Sequence, residues 1–145
     1  MSRVFISEQT GAGIYVFSDD HCPAHIHARH RGEGWIARIS FSYVSAALEL
    51  ISLAPMKNIP LQRVVNRLLS DVQERLPDCR RSWWLMRGTT CWANQWTPFG
   101  RIRRDHASLA ANSECKQVAD AQYDPENEQL HVVFHDGSTV EVELR

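Results

Sequence analysis

Four of the chain's seven histidines fall within twelve residues, D-D-H-C-P-A-H-I-H-A-R-H, positions 19–30. Histidine titrates near neutrality, and its neutral ring is a common metal ligand. In an extended strand, residues two apart project to the same side, so His25 and His27 share a face. Two such imidazoles can hold one ion. His21, folded back across the Cys22-Pro23 turn, offers a third nitrogen, and Asp20 offers a carboxylate that either ligates or orients a ring. The set Asp20, His21, His25 and His27 suits zinc first, or another divalent transition metal. His30 falls on the opposite face of the strand.

The same residues support chemistry without a metal. His25 and His27 could take a proton from a ribose 2′-hydroxyl and return one to a leaving oxygen. Arg29, Arg38, Arg63 or Arg67 could then neutralise the scissile phosphate. In a third reading the cluster is structural: Asp20 and His21 close a tight turn, and His25 and His27 stand on a solvated strand face. No phosphate-cradling glycine loop, nucleophile elbow or zinc-ribbon cysteine pattern accompanies the cluster.

Positioning these side chains requires a sheet. G-I-Y-V-F-S, after a Gly-Ala-Gly break, predicts one strand, and A-H-I-H-A predicts a second that begins after Pro23. In G-W-I-A-R-I-S-F, Trp35, Ala37, Ile39 and Phe41 face one way and Ile36, Arg38 and Ser40 the other. The intervening R-G-E-G makes these last two strands a hairpin.

The apolar period then lengthens. Leu61, Val64, Val65, Leu68, Leu69, Val72 and Leu76 form the stripe of an amphipathic helix, with Pro60 at its first turn and Pro77 as its stop. Asp78 can cap a second, short helix over C-R-R-S-W-W-L-M-R, which Gly88 ends. Trp83 and Trp84 then lie about 100° apart, so one enters the core.

Beyond Gly88 the pattern becomes irregular, and residues 105–114 read as a linker. Trp92, Trp96 and Phe99, beside Arg101, Arg103 and Arg104, either pin a loop to the core or stack on single-stranded nucleic acid. From residue 115 order returns: a strand near K-Q-V-A-D-A-Q-Y, a turn at D-P-E-N, and the hairpin Q-L-H-V-V-F-H-D-G-S-T-V-E-V-E-L around Asp136-Gly137. The expected fold is α+β. A small antiparallel β-sheet packs against one long and one short helix in residues 1–104, and a three-stranded β-meander follows the linker over 115–145. So small a meander needs a further surface, on the first part of the chain or on another subunit.

Charge is unevenly distributed behind a net −1. Residues 57–104 hold ten Lys and Arg against three Asp and Glu, whereas residues 105–145 hold nine Asp and Glu against two Lys and Arg. A basic middle, Arg101, Arg103 and Arg104 included, meets phosphate or an acidic partner; an acidic end can cover that surface in cis or in trans. A protein partner or a second copy of the chain is therefore expected, with nucleic acid as the alternative. No run approaches the roughly 18 apolar residues of a membrane helix. The start lacks a secretory signal pattern, and Cys22, Cys79, Cys91 and Cys115 are scattered, which points to a reducing cytoplasm.

Asp20, His21, Pro23, His25 and His27 follow D-H-x-P-P-H-x-H, with Ala24 at the second proline. Over about residues 10–87 the chain thereby resembles the domain-of-unknown-function 4160 family, R-R-S-W-W-L-M-R being similar to that family's closing tryptophan segment. The tail L-H-V-V-F-H-D-G-S-T-V-E-V-E-L is similar to the domain-of-unknown-function 2442 family, with His135 and Glu143 where that family often has aspartates. Both families are commonly encoded together in toxin–antitoxin-like loci. The resemblance implies a small interaction or regulatory protein of such a locus, with a toxin-like nuclease as the alternative.

Overall fold

Alternation along W-I-A-R-I-S-F builds the strand on which the first half of the chain is laid. The computed structural model describes residues 1–98 and 115–144. Phe99, Arg101, Arg103, Arg104 and the expected linker at 105–114 lie outside the described residues. The chain divides into two units. The first comprises Met1–Ser42 and Ala46–Arg87; the second comprises Tyr43–Ser45 and the described residues from Gly88 onward.

In the first unit five strands, β1 (Ser2–Ile6), β2 (Gly13–Val16), β3 (His25–His30), β4 (Trp35–Phe41) and β5 (Leu48–Ala54), form one antiparallel sheet in sequence order. The anticipated alternation holds in β4: Trp35, Ala37, Ile39 and Phe41 are buried, while Ile36, Arg38 and Ser40 are not. Ile26 lies opposite Ile39 and Ala28 opposite Ala37, so the apolar face continues across β3. The β3–β4 turn needs a left-handed residue, and Gly34 provides it at φ 73°. The sequence pattern marked three of these strands. The other two, β1 and β5, complete the sheet at its edges.

Two helices follow, α1 (Gln62–Glu74) and α2 (Leu76–Arg87). Val65, Leu68 and Val72 of α1 and Leu76, Cys79 and Trp83 of α2 are buried, each large aliphatic contributing about 1.5–3 kcal/mol. The break between the helices falls at Arg75. Pro77 therefore occupies the first turn of α2, where its missing N–H costs nothing, and α2 at 12 residues nearly matches the 13 of α1. Of the tryptophan pair, Trp83 enters the core and Trp84 stays half-buried. One polar tie secures α1: buried Asp71 accepts hydrogen bonds from Ser7 Oγ (2.6 Å), the Gln9 backbone N–H (3.1 Å) and Gln9 Nε2 (2.5 Å) of the β1–β2 turn.

The second unit contains β6 (Trp96–Pro98), β7 (Cys115–Asp124), β8 (Gln129–Phe134) and β9 (Thr139–Glu143). Strands β7, β8 and β9 form the expected three-stranded meander, and β6 pairs along the free side of β7. Leu130, Val132 and Phe134 are buried with Val118, Ala121 and Tyr123, and Tyr43 packs its ring 5.1 Å from that of Tyr123. Gly137, at φ 86°, makes the hairpin turn, and the Asp136 carboxylate accepts the Ser138 N–H and pairs with Lys116 Nζ at 2.7 Å. Among the described residues no helix is long and apolar enough to cross a membrane.

Candidate metal centre

The chain leaves β2 through a turn that Asp20 closes on itself. The Phe17 backbone N–H donates to Asp20 Oδ2 at 2.9 Å, and the Asp20 N–H donates to the Phe17 carbonyl at 3.2 Å. Arg87, the last residue of α2, donates from Nη1 to the Ser18 carbonyl and anchors the same turn. With Oδ2 thus held, Oδ1 points towards the two same-face histidines of β3. It lies 3.0 Å from His27 Nε2 and 3.4 Å from His25 Nε2.

Each ring is fixed by a distinct partner. His25 Nδ1 lies 2.8 Å from the Pro23 carbonyl. A carbonyl only accepts, so Nδ1 carries the hydrogen, and Nε2 of the neutral ring presents its lone pair, which accepts from Arg38 Nη2 at 3.4 Å. The ring is only 1% exposed and packs 5.3 Å from Trp83 and 5.0 Å from His27. Burial pushes the His25 pKa below the ordinary 6.5, and the Arg38 cation nearby acts in the same direction, outweighing the Pro23 carbonyl and Asp20. His27 stacks edge-on against Phe17 at 4.6 Å. For Asp20, burial opposes ionisation, but the Phe17 N–H and His27 prevail and the carboxyl sits below its usual value. The centre therefore offers one carboxylate and two ring nitrogens.

Asp20 Oδ1, His25 Nε2 and His27 Nε2 form a group whose ligand atoms all lie within 4.8 Å of one another. Around a tetrahedral ion bound at about 2.1 Å, adjacent ligand atoms stand roughly 3.4 Å apart. The 3.4 Å between His25 Nε2 and Asp20 Oδ1 fits that figure, and the 3.0 Å between His27 Nε2 and Asp20 Oδ1 is shorter, a hydrogen bond in the metal-free site. His25 also shows the outer support typical of a ligating imidazole, its second nitrogen bonded to a backbone carbonyl. Of the four expected ligands, three converge. His21 stands outside the group; it is exposed and lines a cavity of about 320 Å³ together with His25, Pro23, Arg38, Ser40 and Glu49.

The arginines expected at a phosphate separate in the same way. Arg38 lies on that cavity, its Nη2 3.4 Å from His25 Nε2 and its Nε buried without a hydrogen-bond partner. Arg29 shares the face of His27 and lines a neighbouring depression with His30 and Trp35. Arg63 and Arg67 are exposed on α1 and do not line the cavity. His30 is structural: it accepts the Glu33 N–H and stacks on Trp35 at 5.4 Å. Arg87 was invisible to the sequence reading, as a single basic residue in the last turn of a helix carries no signal for a turn 69 positions earlier.

The cysteines differ from what their spacing suggested. Cys22 and Cys91 are each disulfide-bonded, while Cys79 is a free thiol whose burial pushes its pKa up to about 12. Disulfides persist in oxidising compartments and are rare in cytosol, so the cytoplasmic expectation does not follow from these cysteines. Cys22 is not a ligand of the centre, since a sulfur already bonded to sulfur is not a thiolate.

Compared with known proteins, the chain matches no family model, no curated protein and no solved structure.

Proposed function

We propose that the chain is a zinc-dependent hydrolase of phosphodiesters, a small nuclease. The observation that supports this reading is the convergence of Asp20, His25 and His27 at ligand distances beside a cavity that also holds Arg38. Structural zinc sites close with four protein ligands, whereas catalytic ones keep a position open; three ligands match the second kind. A bound zinc supplies Lewis acidity and lowers the pKa of a water at the open position. The protein groups divide the remaining work. Asp20 stays ionised and fixed by Phe17, and His25 presents a lone pair set by Pro23. Arg38 holds a phosphate oxygen, and His21 at the cavity rim hands a proton to the leaving oxygen.

The interaction-protein reading rests on the family resemblance and on charge patterning, and Arg101, Arg103 and Arg104, which contribute to the charge, lie outside the described residues. The hydrolase reading rests on geometry. The test is hydrolysis of bis(p-nitrophenyl) phosphate and of a single-stranded RNA by the full chain, with and without zinc. Zinc-dependent cleavage that His25→Ala and the less buried His27→Ala abolish, with circular dichroism unchanged, is the expected result. Stoichiometric zinc without cleavage overturns the proposal, as does cleavage that survives both substitutions.

A further inference from the structure

Arg38 and Glu49 line the same cavity of about 320 Å³ and form no ion pair with each other. Their separation follows from the pairing register. His25 lies opposite Ser40, and Ser40 opposite Glu49, so all three project to one face. Arg38 is two residues from Ser40 along β4. Strand rise and spacing therefore place the Arg38 and Glu49 Cα atoms about 8 Å apart. The Glu49 side chain is exposed and, among the described residues, accepts no hydrogen bond, while its backbone carbonyl accepts from Ser40 Oγ at 3.5 Å. Pro23, Leu50 and Ile51 contribute apolar lining to the same cavity. The volume falls at the small end of ligand clefts, roughly 300–1,000 Å³.

Two opposite charges that face one cavity without neutralising each other fit a ligand carrying an anion at one end and hydrogen-bond donors at the other. A nucleotide is such a ligand, with an anionic phosphate at one end and a base edge at the other. We infer that the cavity is a nucleotide subsite in which Arg38 takes the phosphate and Glu49 reads the base, selecting guanine. The inference deepens the hydrolase reading and rests on it for the adjoining metal centre. A carboxylate accepts twice and donates nothing. Guanine alone presents two adjacent donors, N1–H and the N2 amino group. Adenine and cytosine place a ring acceptor beside their amino group, and uracil flanks its N3–H with two carbonyls, so each sets a lone pair against Glu49. A bidentate pair of this kind discriminates by about 10- to 100-fold. Glu49 lies on the edge strand β5 and is exposed, so its substitution leaves the core untouched.

The test is calorimetric titration of the full chain, without added metal, with 5′-GMP and 5′-AMP. Wild type binds GMP about tenfold or more tightly than AMP, and Glu49→Gln binds the two alike. Equal affinities in wild type overturn the inference, as do no binding of either nucleotide or a guanine preference that survives Glu49→Gln. Hydrolysis of the base-free diester by wild type separates the two readings. Hydrolysis without a base preference removes the guanine subsite alone, whereas a Glu49-dependent preference without hydrolysis upholds the subsite and removes the hydrolase alone.

Discussion

His27 Nε2 lies 3.0 Å from Asp20 Oδ1, across a turn that brings together two residues seven positions apart. Without a metal, that contact is a hydrogen bond in which His27 donates. With a metal, the neutral ring would carry its hydrogen on Nδ1 and turn the Nε2 lone pair to the ion, while Asp20 would change from acceptor to ligand. Protons compete with the ion for the same lone pairs, so zinc affinity is expected to rise with pH.

Metal content separates the ligands from the bystander. Purified full chain is expected to carry stoichiometric zinc by elemental mass spectrometry. Asp20→Ala, His25→Ala and His27→Ala should each lose it. His21→Ala should keep it, because His21 stands outside the converging group. Loss in His21→Ala together with retention in Asp20→Ala would show the centre to be built from other atoms.

On the proposed function, Arg38 would oppose the ion and serve the substrate. Its guanidinium lies against the His25 nitrogen that would face the metal, so removing the charge relieves a repulsion. Arg38→Gln is expected to bind zinc up to about tenfold more tightly while losing about 100-fold in kcat/KM on a phosphodiester. Zinc titration and diester kinetics on one preparation check both signs; weaker zinc binding in Arg38→Gln contradicts this account.

Arg87 acts through the turn that presents Asp20. Arg87→Ala removes the donor to the Ser18 carbonyl. Outer supports of a metal ligand are worth about 10- to 100-fold in affinity, whereas one partly exposed hydrogen bond is worth about 1 kcal/mol of stability. Zinc affinity should therefore fall well before the melting temperature does. Equal affinity in the variant and wild type would assign Arg87 to stability only.

Asp71 governs acid stability. Burial alone would raise its pKa, but hydrogen bonds from Ser7 and Gln9 lower it below 3.8. A depressed folded pKa contributes stability that is present above about 3.8 and is lost as pH falls through the folded value. Asp71→Asn should accordingly be less stable than wild type by about 1–3 kcal/mol at pH 7, with the gap narrowing below pH 3.8. Urea unfolding at several pH values measures it, and a gap that widens on acidification contradicts the assignment.

Much of this protein is written in local periods. Alternation placed Trp35, Ala37, Ile39 and Phe41 on the buried side of β4 and paired His25 with His27, because successive strand side chains point to opposite faces whatever lies around them. The 3.6-residue stripe from Val65 to Val72, the Asp136-Gly137 turn and the meander of β7, β8 and β9 were legible for the same reason. Pro77 misled on helix length, since the same residue that stops one helix is acceptable in the first turn of the next. Strand β5 was hidden as well: on an edge, L-E-L-I-S-L-A shows no clean alternation, and its pattern is broken where its pairing with β4 shifts register.

The centre itself needed three dimensions. Local sequence put four candidate ligands within eight residues, and nothing in their spacing told His21 from Asp20. The turn held by Phe17 and Arg87 aims Asp20 at the histidines and leaves His21 on the rim. Cross-strand register, fixed by the whole sheet, sets Glu49 beside Ser40 and His25, although Glu49 reads in sequence only as an interruption of an apolar run. A side chain's face is a property of its own strand. Which groups meet across a turn or a sheet depends on pairing and packing summed over the fold, so that part was decided only by the tertiary structure.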